Sequence, residues 1–350
     1  MVLNMSTLIK FIITICLLPL IIAAGETEMR AAIDFGSGAI KLHMAEVDIQ
    51  EQKVVRSLLS KQTSVKLTED VAANGDQISP AMMEQIRSVL LAFMEEVNSI
   101  NDQVRYTGVA TAVFRKAHNG AAVLKQLEQE FGLPFVILSQ EEEGKLGLST
   151  ARALFPQVSE EELIAWDNGN GSFQMTRCVE GDYQNYQGPT GFGVIRILLS
   201  RDIRKGAVLK PQESGNPVGK EESLELICKI QALLPSIPEW LRDQLHSEKI
   251  CIATFGEGNS LFPVMAQSLA VGATGPVDEA IISLDDLKGL CTAFENREDA
   301  HFDSKGIYRN TYLGALYLVA VMEMLEIDTI YYKRSLGNTP GILIEPQLWK

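Results

Sequence analysis

The alternation of apolar and polar positions changes period several times along the chain. Ala31, Ile33 and Phe35 alternate before Gly36 and Gly38, and Leu42, Met44 and Val47 follow. Residues 30–48 therefore predict two strands folded back around a tight glycine turn. A dinucleotide-binding start would need a helix directly after the glycines, so that reading is excluded. Residues 54–66 predict a further strand. Met82, Ile86, Val89, Leu90 and Phe93 recur at helical spacing, and Ser79-Pro80 supplies a cap and first-turn pair, which predicts a helix over 79–97. A strand at 104–109, a helix at 119–131, a short strand at 135–138 and a helix at 141–154 complete the first half.

The pattern then starts again. The apolar run 162–166 leads into Asp167-Asn168-Gly169-Asn170-Gly171-Ser172, and 173–179 returns. This repeats the form of residues 33–47: apolar strand, Asp, glycine turn with Ser, strand. Helices at 221–234 and 239–246, a strand at 249–255 entering the turn 256–260, an apolar helix at 311–326 and a strand at 329–332 complete the second half. Two similar α/β domains are expected, 26–156 and 157–350, each presenting one Asp-Gly-Ser turn to a shared cleft.

Residues 11–25, FIITICLLPLIIAAG, form an apolar run preceded by Lys10. Its core is shorter than the roughly 20 residues a spanning helix needs, and small residues close it. Residues 1–25 are expected to be a secretory signal peptide, giving a periplasmic or secreted protein without a stable membrane span. The alternative is an anchor at residues 11–25.

The 350 residues carry a net charge of −14, which argues against a nucleic-acid partner. Four histidines in all and five cysteines without a CxxC pair give no support to a zinc or redox site; free thiols are expected.

The glycine turns remain as candidate chemistry. Small residues let backbone amides approach an anion. Asp34 beside Gly36, Ser37 and Gly38, and Asp167 beside Gly169, Asn170, Gly171 and Ser172, suit a phosphate gripped from both sides, each aspartate holding a divalent cation or orienting water. Glu141, Glu142 and Glu143 open a helix, where two readings stand side by side: one of them faces the cleft as a base, or all three form a solvated first turn favoured by the helix dipole. Arg115 and Arg196 are candidate phosphate ligands.

These landmarks, with LIAWDNGNGSFQM, CIATFGEGNSLFP and IDTIYYKRSLGNTPGIL in order along the chain, resemble the exopolyphosphatase and guanosine pentaphosphate phosphatase family, within the actin-like superfamily of sugar kinases and heat-shock ATPases. The resemblance implies two actin-like (ribonuclease H-like) domains flanking a cleft. It implies Mg²⁺-dependent release of terminal orthophosphate from polyphosphate or a phosphorylated nucleotide, and a homodimer. It makes Glu142 the catalytic glutamate, Asp34 and Asp167 the metal ligands, and Gly36, Ser37, Gly38, Arg115, Gly169, Asn170, Gly171 and Ser172 the phosphate site. Glu143, Gln174 and Arg196 stay without a fixed role. Gly38, Ala39, Phe173 and Gln174 replace Asn, Ser, Thr and Glu of the family pattern. Those departures leave a non-catalytic periplasmic sensor or binding protein as the alternative.

Overall fold

The computed structural model describes residues 26–207, 209, 213–245, 249–270 and 275–350. The expected leader 1–25 and the end of the helix expected at 239–246 lie outside them. The first sheet comprises β1 (Thr27–Phe35), β2 (Ala39–Asp48), β3 (Lys53–Ser64), β4 (Arg105–Ala110) and β5 (Phe135–Ile137), in the order β3-β2-β1-β4-β5. The second comprises β6 (Leu163–Asn168), β7 (Phe173–Val179), β8 (Asp182–Gly188), β9 (Cys251–Gly256), β10 (Glu279–Ser283) and β11 (Thr329–Arg334), in the order β10-β11-β9-β6-β7-β8. Taken from the far edge, β8-β7-β6-β9-β11 repeats the first sheet strand for strand, antiparallel on one side of the leading strand and parallel on the other. The mixed α/β architecture is the bilobal one the repeat predicted.

The central strands β1, β4, β6 and β9 are buried on both faces, which explains apolar runs with little polar interruption. Ala31, Ile33 and Phe35 face a core with the helix Pro80–Ile100, which begins where Ser79 accepts a hydrogen bond from the Met82 amide. Trp166 and Phe173 face the core of the second lobe, built on the almost wholly buried helix Thr311–Leu325. The inner faces are covered by crossing over. The helix Gln140–Leu154 lays Leu148 and Ala151 against Leu163 and Ala165 of the second sheet. The final helix, Thr339–Ile344, returns to the first sheet and packs Ile342, Leu343 and Ile344 with Ala32, Val47 and Val109. Arg30 clamps this return, donating to the Leu343 carbonyl at 2.7 Å and stacking over Trp349 at 4.5 Å. A division at residue 157 thus separates the sheets but not the cores, because the segment from Thr339 onward completes the first lobe.

The crossing helices touch through glycine. A Cβ at Gly341 would lie 2.4 Å from Thr150 Oγ1 and 2.7 Å from the Leu146 carbonyl oxygen. Gly341→Ala should therefore destabilise by about 1–3 kcal/mol through overpacking, although alanine favours helix. Urea unfolding would measure this; unchanged or raised stability would mean the helices are not in contact there.

Candidate active site

The ends of β1 and β6 meet across a cleft of about 370 Å³ between the lobes. The two turns that form its rim are built alike. In the first, the Gly36 amide donates to the Ala39 carbonyl at 3.0 Å; in the second, the Gly169 amide donates to the Ser172 carbonyl at 2.9 Å. Asp34 stands opposite Lys41 in the β1–β2 register, and Asp167 opposite Gln174 in the β6–β7 register. The repeat thus puts a cation at one position and a neutral amide at its counterpart. The second turn is pinned from behind, because the Phe192 and Gly193 amides donate to the carbonyls of Gly169 and Asn170.

Gly36, Ser37, Gly38, Gly169 and Asn170 line the cleft with Asp34 and Asp167. Gly171 and Ser172 belong to the same turn without lining it. A side chain at Gly38 or Gly171 would meet nothing within 4 Å, so the room beside these backbones is open to an incoming group. Gln174 is buried on β7, outside the cleft lining. Arg196 sits in the last turn of the helix Phe192–Ile197, donates to the Glu213 carbonyl at 2.5 Å, and does not line the cleft.

The glutamates divide in a way the sequence did not decide. Ser139 caps the helix Gln140–Leu154, and Glu142 closes the capping box: its carboxylate accepts the Ser139 amide at 2.7 Å while its own amide donates to Ser139 Oγ at 3.2 Å. These bonds hold the exposed Glu142 carboxyl below its ordinary pKa, and Glu142 does not line the cleft. Glu143, about 100° further round the helix, does line it. Of the three glutamates, the structure thus brings Glu143 to the cleft wall and keeps the expected Glu142 in the helix cap. Arg115 stands behind Glu143 rather than on the cleft wall. It pairs with Glu143 at 2.9 Å and donates to the Leu138 carbonyl at 2.6 Å. Burial first, then the nearby Asp167, lifts the Glu143 carboxyl to about 7, against the lowering pull of Arg115. Burial also raises Asp167, opposed by a 3.0 Å hydrogen bond from Asn338 Nδ2 and by the charge of Lys41.

Sequence reasoning missed Lys41, Gly337 and Asn338. Lys41 Nζ lies 3.0 Å from Asp34 Oδ2, with the aspartate almost fully buried. Its signal was present: Lys41 follows Asp34 by the same seven residues that separate Asp167 from Gln174. Gly337 and Asn338 lie on the segment after β11 that returns the chain to the first lobe, and nothing local marked them.

Donor chemistry decides whether these residues fit a divalent ion. Asp34 Oδ2 is taken by an ammonium and Asp167 Oδ2 by an amide, and Gln174, opposite Asp167 in the strand register, carries no charge. Among the described residues no group of three or more His, Cys, Asp or Glu could hold a metal. The set does not fit a protein-held magnesium, which requires near-octahedral oxygen ligation.

A model of the Ppx/GppA phosphatase family matches residues 47–336, a span that begins after the first glycine turn. No curated protein matches the chain. Solved structures match over nearly their whole length. The Aquifex aeolicus member of the Ppx/GppA family superposes with a TM-score of 0.71 at 16% identity, covering 92% of this chain and 98% of that one. An exopolyphosphatase from Cytophaga hutchinsonii gives 0.62 at 14% identity, covering 90% and 96%. At these identities the likeness speaks for the fold.

Gly337 has φ +59°, and a Cβ there would lie 2.3 Å from Lys41 Nζ and 2.9 Å from Asp34 Oδ2. Gly337→Ala should cost at least about 1–2 kcal/mol from the left-handed backbone alone and displace the Lys41–Asp34 pair. Gly38→Ala, with open space around it, should stay within about 0.5 kcal/mol. Thermal or urea unfolding of both variants separates them; equal effects would contradict the packing described.

Proposed function

We propose, from the premise that this chain belongs to the Ppx/GppA phosphatase family, that it hydrolyses a terminal phosphoanhydride with Glu143 as general base. Family membership supports phosphohydrolase chemistry in general terms and suggests dependence on Mg²⁺. The finer reading is release of orthophosphate from polyphosphate or a phosphorylated nucleotide. The observation that carries it is Glu143, a half-buried carboxylate on the cleft wall whose pKa is raised to about 7, between two glycine turns.

In this reading the terminal phosphoryl enters between the turns. Amides of the turn backbones and the Lys41 ammonium meet its oxygens, where charge is concentrated in the transition state. A water between Glu143 and phosphorus gives its proton to the carboxylate as its oxygen bonds to phosphorus. The bridging P–O bond breaks, and its electron pair leaves with the shortened chain. Arg115 is a positioning residue: its bond to the Leu138 carbonyl fixes the guanidinium, and its pair with Glu143 fixes the base. Any magnesium is proposed to travel on the oxygens of the phosphoanhydride. Gln174 motivates the alternative of a binding protein, and turnover by pure protein decides between the two.

Export is proposed from the apolar run at 11–25, a mature N-terminus near Glu26 being the expected mass-spectrometric result. Among the described residues no helix is long and apolar enough to cross a membrane. An N-terminus retained at Met1 in membranes would reverse the proposal in favour of the anchor.

Glu143→Gln should lower orthophosphate release by roughly 10²–10⁴-fold, the usual contribution of a positioned base. Glu142→Gln should change it little, because glutamine also serves in a capping box. The base works only when ionised, so kcat/KM should rise with pH through about 7 and fall below it. Full activity in Glu143→Gln, or inactivity confined to Glu142→Gln, would overturn the assignment.

A further inference from the structure

A cleft that receives phosphoryl oxygens needs positive charge, and two aspartates facing each other would ordinarily obtain it from a divalent ion. Here that place is taken by a side chain. Lys41 Nζ bonds Asp34 Oδ2 at 3.0 Å. It also lies beside two glycines that line the cleft: 3.8 Å from where a Cβ on Gly36 would stand, and 2.3 Å from where one on Gly337 would stand. Gly337 lacks a side chain at the spot that the ammonium fills. The charge of Lys41 is also felt by Asp167 on the facing lobe. The ammonium therefore sits among the first glycine turn, the returning segment and Asp34, and its side chain, which lines the cleft, keeps 21% exposure. An ammonium has three donors, and Asp34 takes one.

The other candidate cation is committed elsewhere. Arg115 directs two of its five donors to Glu143 and the Leu138 carbonyl, and the residue does not line the cleft. A hard divalent ion beside Asp34 would have to displace Lys41 or accept its repulsion at contact distance. The repeat makes the same point by comparison, since the position equivalent to Lys41 in the second lobe is the neutral Gln174.

We propose that Lys41 is the resident cation of this cleft: its ammonium pairs with Asp34 in place of a protein-held divalent ion and supplies the fixed positive charge that phosphoryl oxygens meet. The free protein then holds no divalent cation of its own, and metal reaches the cleft only on a phosphate chain. This rests on the phosphoryl-binding reading above, but its test uses binding alone, so either can fail without the other.

The test uses the whole chain and two probes. Mn²⁺ binding is followed by electron paramagnetic resonance without phosphate, and tripolyphosphate binding by calorimetry in EDTA. Wild-type protein should leave Mn²⁺ free up to about millimolar concentration, as expected for a site already filled by a cation. Lys41→Met, which removes the ammonium from Asp34, should gain one Mn²⁺ site, and adding Asp34→Asn should abolish it. Tripolyphosphate affinity should fall at least ten-fold in Lys41→Met and be largely retained in Lys41→Arg, whose folding is protected by its charge. A single tight Mn²⁺ site in wild-type protein, removed by Asp34→Asn, would overturn the proposal without any lysine variant. So would equal tripolyphosphate binding by wild type and Lys41→Met. If wild-type protein binds no tripolyphosphate in EDTA, Lys41 is not a phosphate ligand, and the Mn²⁺ result alone then shows whether it fills the cation position.

Discussion

The helix Gln140–Leu154 can lie against the second sheet only because glycine stands where it meets that sheet. A Cβ at Gly144 would approach Asn185 Nδ2 to 2.2 Å and Thr176 Oγ1 to 2.7 Å, and one at Gly147 would stand 3.2 Å from the Asp167 Cβ. The same helix meets the returning C-terminal helix through Gly341. These contacts set how closely the lobes approach, and hence how far Glu143, on the first turn of that helix, stands from Asp167 at the end of β6. In a densely packed interior such spacing is not adjustable by small steps. The backbone approach comes first, and the chemistry of the cleft depends on it.

That close approach crowds like charges together. Asp34, Glu143 and Asp167 converge from three elements, with Lys41 and Arg115 as the facing cations. Three carboxylates against two cations cannot all be ionised at low cost in a partly dry cleft. Glu143, buried and near Asp167, carries the strain as a raised pKa, while Arg115 keeps it from rising further. Lys41 and Asn338 relieve the two aspartates. A base poised near neutrality thus arises from an arrangement whose parts also close the fold: Asn338 that holds Asp167 also receives Thr150 Oγ1, at its carbonyl and its side-chain oxygen.

Much of this was legible in the sequence, and the rest was hidden for definite reasons. The two Asp-Gly turns were readable because a strand ending in Asp and glycine is a local signal, repeated at one offset. The helix beginning at Ser79-Pro80 was readable from its cap and its period. The choice between Glu142 and Glu143 was not, since three adjacent glutamates all suit a helix start and a single residue's rotation selects the cleft. The capping box is the deciding interaction, and Ser139 did announce it at N-cap spacing. Lys41 was readable only by aligning the repeat with itself. Asn338, Gly337 and the crossed C-terminal helix were out of reach, because their partners lie about 170 to 310 residues away in the chain. β8, β10 and the helices Leu261–Leu269 and Leu284–Phe294 also went unread. The second sheet's edge strands are short and partly exposed, with weak alternation.

Glu143 is buried among like charges where a base is needed, and its titration can be measured without substrate. Carbon-13 NMR of protein labelled at the glutamate carboxyl carbons, with the Glu143 resonance identified by its loss in Glu143→Gln, gives that titration directly. A midpoint raised to about 7 is the expected result. Titration of Glu143 near 4.5, with the exposed glutamates, would contradict it.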